Sequence, residues 1–205
     1  MTAGPLVGED GLARCPWADS PADYRAYHDR EWGHPVRGDD RIFERLSLEG
    51  FQSGLSWLTI LRRRDAFREA FADFDPRRIA EYDEVDVDRL VADARIIRHR
   101  GKIEATVSNA RVLVDWQAAD GVGVLDDLVW SFASESPAPQ SLSDVPVSTT
   151  ASESLTRQLK ARGWRFLGPT SAYAAMQAIG VVNDHLAGCH ARSLTRSTAQ
   201  ERRRR

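Results

Sequence analysis

The chain has 205 residues, 42% hydrophobic and 28% charged, with a formal net charge of −2. That is the profile of a globular domain with a sizeable core, and it excludes a collagen-like repeat, a coiled-coil rod and a largely disordered chain. It also leaves any grip on nucleic acid to a local basic patch rather than the whole surface.

In chain order, residues 1–13 read as a flexible leader. Ser20-Pro21-Ala22-Asp23 carries a helix start, and the helix should run to Trp32 and stop at Gly33. Asp39 or Asp40 caps a second helix bearing Ile42, Phe43 and Leu46. Gly50 and Gly54 interrupt it, and the pattern resumes over Leu55 to Arg64. Phe67, Phe71 and Phe74 form a core stripe at helical spacing. Asp75-Pro76 opens a short helix, and Val85–Ala94, Gly101–Asp120 and residues 124–132 follow as helices. The Ser- and Pro-rich stretch 133–150 reads as a loop. Thr150-x-x-Glu153 opens a helix ending at Gly163, Pro169 opens one ending at Gly180, and a last helical piece holds His185 and Cys189. Strand-like alternation is nearly absent, so the expected class is all-α, with one domain over 14–192 and an Arg-rich, disordered tail over 193–205.

The apolar runs are too short to span a bilayer; Leu55 to Leu61, for example, is broken by Ser56 and Thr59. The start MTAGPLVGEDGLAR lacks the basic residues and apolar stretch of a secretory signal. A cytoplasmic protein without membrane contact is expected, and a monomer would suffice.

Three constellations carry chemistry. His185-x-x-x-Cys189 puts two ligand types at i and i+4, and Cys15 with His28 offers a second pair. Together they would make a Cys₂His₂ set suited to tetrahedral zinc with no open position, hence structural. The competing reading is two buried thiols and two unrelated histidines, since Cys-x₁₂-His is no finger spacing. The run Arg95-Ile-Ile-Arg-His-Arg-Gly-Lys-Ile103 joins two helical segments through a short cationic turn. A helix opening at Gly101 would offer free amides to a DNA phosphate, though a plain helical hairpin with a solvated turn fits as well. Tyr24, Tyr27 and His28 share a face, Trp17 and Trp32 lie nearby, and Glu49 sits in the apolar stretch LSLEGFQSGLSWL ahead of Trp57. Rings beside one carboxylate suit a planar cation; the same rings could simply fill the core.

The segments RCPWA, YRAYHDREWG, LEGFQSGLSWLTIL, DARIIRHRGKIEATVSNAR, LVWSF, STTASESLTRQLKARGWRFLGPT and MQAIGVVNDHLAGCH cover nearly the whole folded chain. In this order they resemble the family of DNA-3-methyladenine glycosylases I, the constitutive alkylation-repair glycosylases of bacteria. The resemblance implies an all-helical, helix-hairpin-helix glycosylase fold. It implies a structural zinc site joining the N- and C-terminal segments through Cys15, His28, His185 and Cys189. It implies a base pocket of Glu49, Tyr27 and Trp57 with Tyr24, Trp17 and Trp32 close by, Glu49 being the catalytic carboxylate. In the loop Gln52-Ser53-Gly54-Leu55, Leu55 would fill the gap left by a flipped nucleotide. His99, Arg100, Gly101 and Lys102 would hold the DNA backbone. The implied reaction is hydrolysis of the N-glycosidic bond of N3-methyladenine in double-stranded DNA, leaving an abasic site. The catalytic Asp of the wider superfamily has no counterpart here, so Asp115, Asp120, Asp126 and Asp127 receive no role.

Methylation at N3 makes adenine a cation that departs as a neutral molecule, so the reaction needs no strong general acid. Two alternatives remain. A glycosylase that also cuts the strand needs an amine, and the chain has only Lys102 and Lys160. A zinc-stapled helix-hairpin-helix module without activity would need no pocket.

Overall fold

Phe67, Phe71 and Phe74 have no exposed surface; they stack on one another, and Phe51 joins the same aromatic layer. The computed structural model describes residues 4–135 and 137–195. Its helices are α1 (Ala22–Arg30), α2 (Asp39–Gln52), α3 (Trp57–Leu61), α4 (Arg64–Ala70), α5 (Pro76–Ala80), α6 (Glu84–Ala92), α7 (Arg100–Asp120), α8 (Val124–Trp130), α9 (Thr150–Ala161) and α10 (Pro169–Ile179). Helix α2 crosses the core and buries Ile42, Phe43, Leu46, Leu48 and Phe51. It packs against α10 and α8, while α7 packs against α5 and α6.

The two ends of α2 and α8 tie each other down. Asp39, 4% exposed, accepts the backbone N–H groups of Gly123, Leu125 and Asp126 and the Gln117 side chain at 2.7–3.0 Å. Asp126 in turn accepts the Gly38 N–H at 2.7 Å. Each carboxylate satisfies amides that a helix N-terminus leaves bare, where the helix dipole favours negative charge. Asp39→Ala is expected to cost about 2–4 kcal/mol, because it strands several amides at once. Urea unfolding checks this, and a loss below about 1 kcal/mol would show that water replaces the carboxylate.

Several local expectations shift. The leader contains an antiparallel ribbon, β1 (Leu6–Val7) and β2 (Ala13–Arg14), with Leu6 opposite Arg14. Buried Arg14 anchors it, pairing with Asp10 and Asp29 at 2.7–3.0 Å. Helix α1 starts one residue later than Ser20-Pro21 suggests, with Pro21 at the cap position. The α9 capping box uses Thr149 and Ser152 rather than Thr150 and Glu153. Gly50 does not interrupt α2. A Cβ there would come within 3.3 Å of the Phe166 carbonyl, so the glycine serves close approach. His185 and Cys189 lie on a turn at Ala187–Gly188, not on a helix; helix resumes at residues 191–195. Beyond Thr195 the Arg-rich tail lies outside the described residues. Among the described residues no helix is long and apolar enough to cross a membrane.

Candidate active site and metal group

Glu49 sits near the end of α2 and is 5% exposed. Its carboxyl has no hydrogen-bond or ion-pair partner among the described residues. Burial pushes its pKa up to about 8 from 4.5, with the Arg45 charge pulling the other way. Arg45, one turn earlier, is itself buried. It shares Glu31 with Arg64, which grips that carboxylate at 2.6 and 2.9 Å, and its Nη1 has no partner. Of this cluster, Arg45 is the charge that acts on Glu49.

The rings gather next to it. Tyr27, on α1, is 4% exposed, and burial raises its pKa; Glu49 is among the charges that act on it. Tyr27 lies 5.4 Å, centroid to centroid, from Trp57 at the start of α3. The Trp57 indole N–H is buried and without a partner. Tyr24 is held in place by its hydroxyl, which accepts the Leu58 N–H at 2.9 Å. Trp17 packs edge-on against Tyr24 and Trp32 at 5.8 and 5.1 Å. Trp32 faces the other way, against His28 and His185. A bare carboxyl, a free indole N–H and clustered aromatic rings can take a flat ligand that carries positive charge.

The loop after α2, residues 53–56, is exposed. Gly54 is left-handed (φ 83°) and Leu55 is 43% exposed. The N-cap of α7 is His99, whose side chain accepts the Lys102 N–H at 3.3 Å. The backbone amides of Arg100 and Gly101 make no hydrogen bond among the described residues. Two side chains of the hairpin turn away from such a role. Lys102 is buried and donates to the Phe51 and Ser53 carbonyls at 2.9 and 2.7 Å, which latches the loop to α7. Arg100 pairs with Glu84 and Asp88.

Cys15, His28, His185 and Cys189 are all buried, and their ligand atoms lie within 4.8 Å of one another. His28 Nε2 is 3.2 Å from His185 Nδ1 and 3.4 Å from Cys189 Sγ. His185 Nδ1 is 3.6 Å from Cys189 Sγ and 3.9 Å from Cys15 Sγ. Tetrahedral zinc with Zn–N about 2.0–2.1 Å and Zn–S about 2.3 Å sets its ligand atoms roughly 3.3–3.8 Å apart, so the residues fit the ion. The outer hydrogen bonds agree. His28 Nδ1 lies 2.8 Å from Asp29, and His185 Nε2 lies 3.1 Å from the Trp32 carbonyl, which leaves the other ring nitrogens free as ligands. Burial lowers the His185 pKa, keeping the ring neutral. The Cys15 thiol and both imidazoles hold Cys189 toward thiolate against the effect of burial, and Cys189 with burial pushes Cys15 up.

Two supporting residues escape a reading by residue type alone. Partial burial opposes ionisation of Asp29, but hydrogen bonds from Arg14, His28 and His190 hold it well below the usual carboxylate range. Gly33 is left-handed (φ 80°), and a Cβ there would sit 3.1 Å from His185 Nε2. The adjacency of Asp29 to His28 was the available signal for the first. The stop of α1 hid the second.

The same helical fold is found among solved DNA glycosylases. A crystal structure of 3-methyladenine DNA glycosylase I matches with a TM-score of 0.81 at 46% identity, covering 86% of this chain and 98% of that one. The Staphylococcus aureus enzyme, solved for its recognition of 3-methyladenine, matches with a TM-score of 0.82 at 32% identity, covering 87% and 96%. DNA-3-methyladenine glycosylase 1 of Escherichia coli is 46% identical over 181 residues, 87% of this chain and 96% of that protein. The chain belongs to the methyladenine glycosylase family, whose model matches residues 17–193.

Proposed function

We propose that the chain is a monofunctional glycosylase that flips N3-methyladenine out of alkylated DNA and hydrolyses its bond to deoxyribose. The carrying observation is Glu49, a buried carboxyl with no partner among the described residues, whose charge acts on Tyr27, the ring that packs against Trp57. A neutral base would have to coexist there with a protonated acid or with an anion that the Arg45 charge offsets only in part. A cationic base favours the ionised form of Glu49 and supplies the partner that the buried carboxylate otherwise lacks. Selectivity then has two sources: the pocket favours the cation, and only the cation carries a good leaving group. Flipping costs a few kcal/mol and stacking on the rings returns ~1–3 kcal/mol. Glu49 binds the base's N–H groups, faces the developing positive charge on the sugar and leaves water to complete the hydrolysis.

The helix-hairpin-helix reading gives the α7 N-terminus the DNA backbone and Leu55 the gap left by the flipped nucleotide. The lyase alternative loses support because Lys102 spends its ammonium on two carbonyls and Lys160 is exposed near the end of α9. Zinc, held by Cys15, His28, His185 and Cys189, would supply structure and no chemistry, since four protein ligands close its coordination.

Chromatography of bases released from methylated DNA tests the activity. Free 3-methyladenine with the strand left intact is expected. No released base overturns the reading, and strand cleavage without heat or base revives the lyase. Leu55→Ala is expected to weaken binding to a duplex with an abasic-site analogue about tenfold, with unchanged thermal unfolding, as for loss of one buried apolar contact. Equal affinity would remove Leu55 from the interface.

A further inference from the structure

Phe166, in the turn before α10, combines two costs. Its ring is 46% exposed, and its backbone is left-handed at φ 54°, a conformation that crowds the Cβ of any residue but glycine. Ala72, Asp73 and Phe74 share that region of backbone space, but there the strain accompanies full burial of Phe74. Phe166 has no such compensation.

The surrounding structure nevertheless fixes it. Buried Asn109 of α7 clamps the preceding residue from both sides: its Nδ2 donates to the Arg165 carbonyl at 3.1 Å, and its Oδ1 accepts the Arg165 N–H at 2.8 Å. Two helices give up a side chain to let the turn approach. A Cβ on Gly50 would be 3.3 Å from the Phe166 carbonyl, and one on Gly101 would be 3.3 Å from the ring's Cζ. The ring meets His99, the N-cap of α7, edge-on at 5.8 Å. Phe166 also lines one small cavity with Lys102 and Phe51, the residues that latch the Leu55 loop to α7. Phe166 therefore stands against the hairpin at His99 and Gly101, and Lys102 links that hairpin to the end of α2 and to Ser53.

We propose that Phe166 positions the DNA, its ring packing against a deoxyribose beside the phosphate held at the α7 N-terminus. This rests on reading the chain as a DNA glycosylase. DNA suits the place because its backbone alternates an anionic phosphate with an apolar sugar face, and apolar side chains are common partners of a bent duplex. Strain kept at an exposed ring is explained when the ring's use lies in a complex.

Phe166→Gly separates this role from folding, because glycine prefers the observed φ. The variant is expected to unfold at or above the wild-type temperature and to bind free 3-methyladenine unchanged. Its affinity for an abasic-analogue duplex should fall about tenfold, the effect of losing one aromatic contact with nucleic acid. Phe166→Leu should recover most of it. Affinity of Phe166→Gly within about twofold of wild type, well under one such contact, overturns the proposal. So does a wild-type dimer that the variant dissolves while DNA affinity is unchanged. A wild type that binds the duplex yet releases no base overturns the activity and leaves this contact standing.

Discussion

Glu49→Gln is expected to lower single-turnover release of 3-methyladenine by about 10²–10³-fold, the loss typical of removing one preorganised electrostatic group. Glutamine keeps the shape and one acceptor but cannot ionise. The same variant should change the pH dependence of folding. Burial raises the Glu49 pKa from 4.5 to about 8 in the free protein. Between those values the folded state holds a proton that the unfolded chain has released. The stability linked to that proton is complete below pH 4.5 and is lost as pH rises through 8. The wild type should therefore weaken from pH 5 to 8.5 on the order of 4 kcal/mol relative to Glu49→Gln. Taking the difference between the two pH values cancels the fixed cost of burying an amide. With the cationic base in the pocket the Glu49 pKa falls, so the acid limb of excision lies below pH 8 and is absent from the variant. Parallel stability profiles, or unchanged excision, would remove Glu49 from the centre of the site.

That result would mark Glu49 as a residue kept at a cost to the fold. An apolar residue at that point of α2 would be cheaper, and the nearby Arg45, Glu31 and Arg64 cluster moderates the penalty without cancelling it. A carboxyl buried without a partner is unusual enough to point to a ligand.

The parts legible in the sequence are those carried by spacing and residue chemistry. The 67/71/74 stripe, the helical class and the grouping of rings around residues 24–32 all follow from periodicity. Glu49 drew notice because a charge stood in an apolar run. What stayed hidden depends on contacts between distant segments. Gly50 reads as a helix breaker until the Phe166 carbonyl is seen against it. Asp39 reads as a cap for its own helix, yet its carboxylate serves the start of α8. Lys102 reads as a DNA-facing cation, yet burial turns it onto the carbonyls that end α2. The i, i+4 spacing of His185 and Cys189 suggested a helix, whereas the turn at Gly188 (φ 84°) brings them together without one.

Cys189→Ser is expected to abolish zinc binding and to lower unfolding stability by about 4–5 kcal/mol, the model value for releasing a loop of this length. His28 and His185 are 157 residues apart, so the site fastens the chain's two ends. The apolar cluster at that place is small: Cys15, Leu186, Cys189 and Ala191, with Trp17 and Val145 packed against it. Loss of a ligand therefore removes a closure that the local core replaces poorly. Elemental analysis of wild type should give about one zinc per chain, and a strong chelator should bring its unfolding temperature to that of the variant. Asp29→Ala keeps all four ligands but frees the His28 ring, so zinc should dissociate about 10–100-fold more readily. The chemistry predicts a separation as well. On the proposed reading Glu49 and the rings around Trp57 act on the base, and a zinc held by four protein ligands would have no open position through which to act. At a temperature where Cys189→Ser is folded, excision per folded molecule should stay within about threefold of wild type, against the far larger loss at Glu49. A metal-free wild type of full stability would refute the site, and collapse of excision in a folded, metal-free variant would give zinc a part in shaping the pocket through Trp17 and Trp32, whose rings stand between the two.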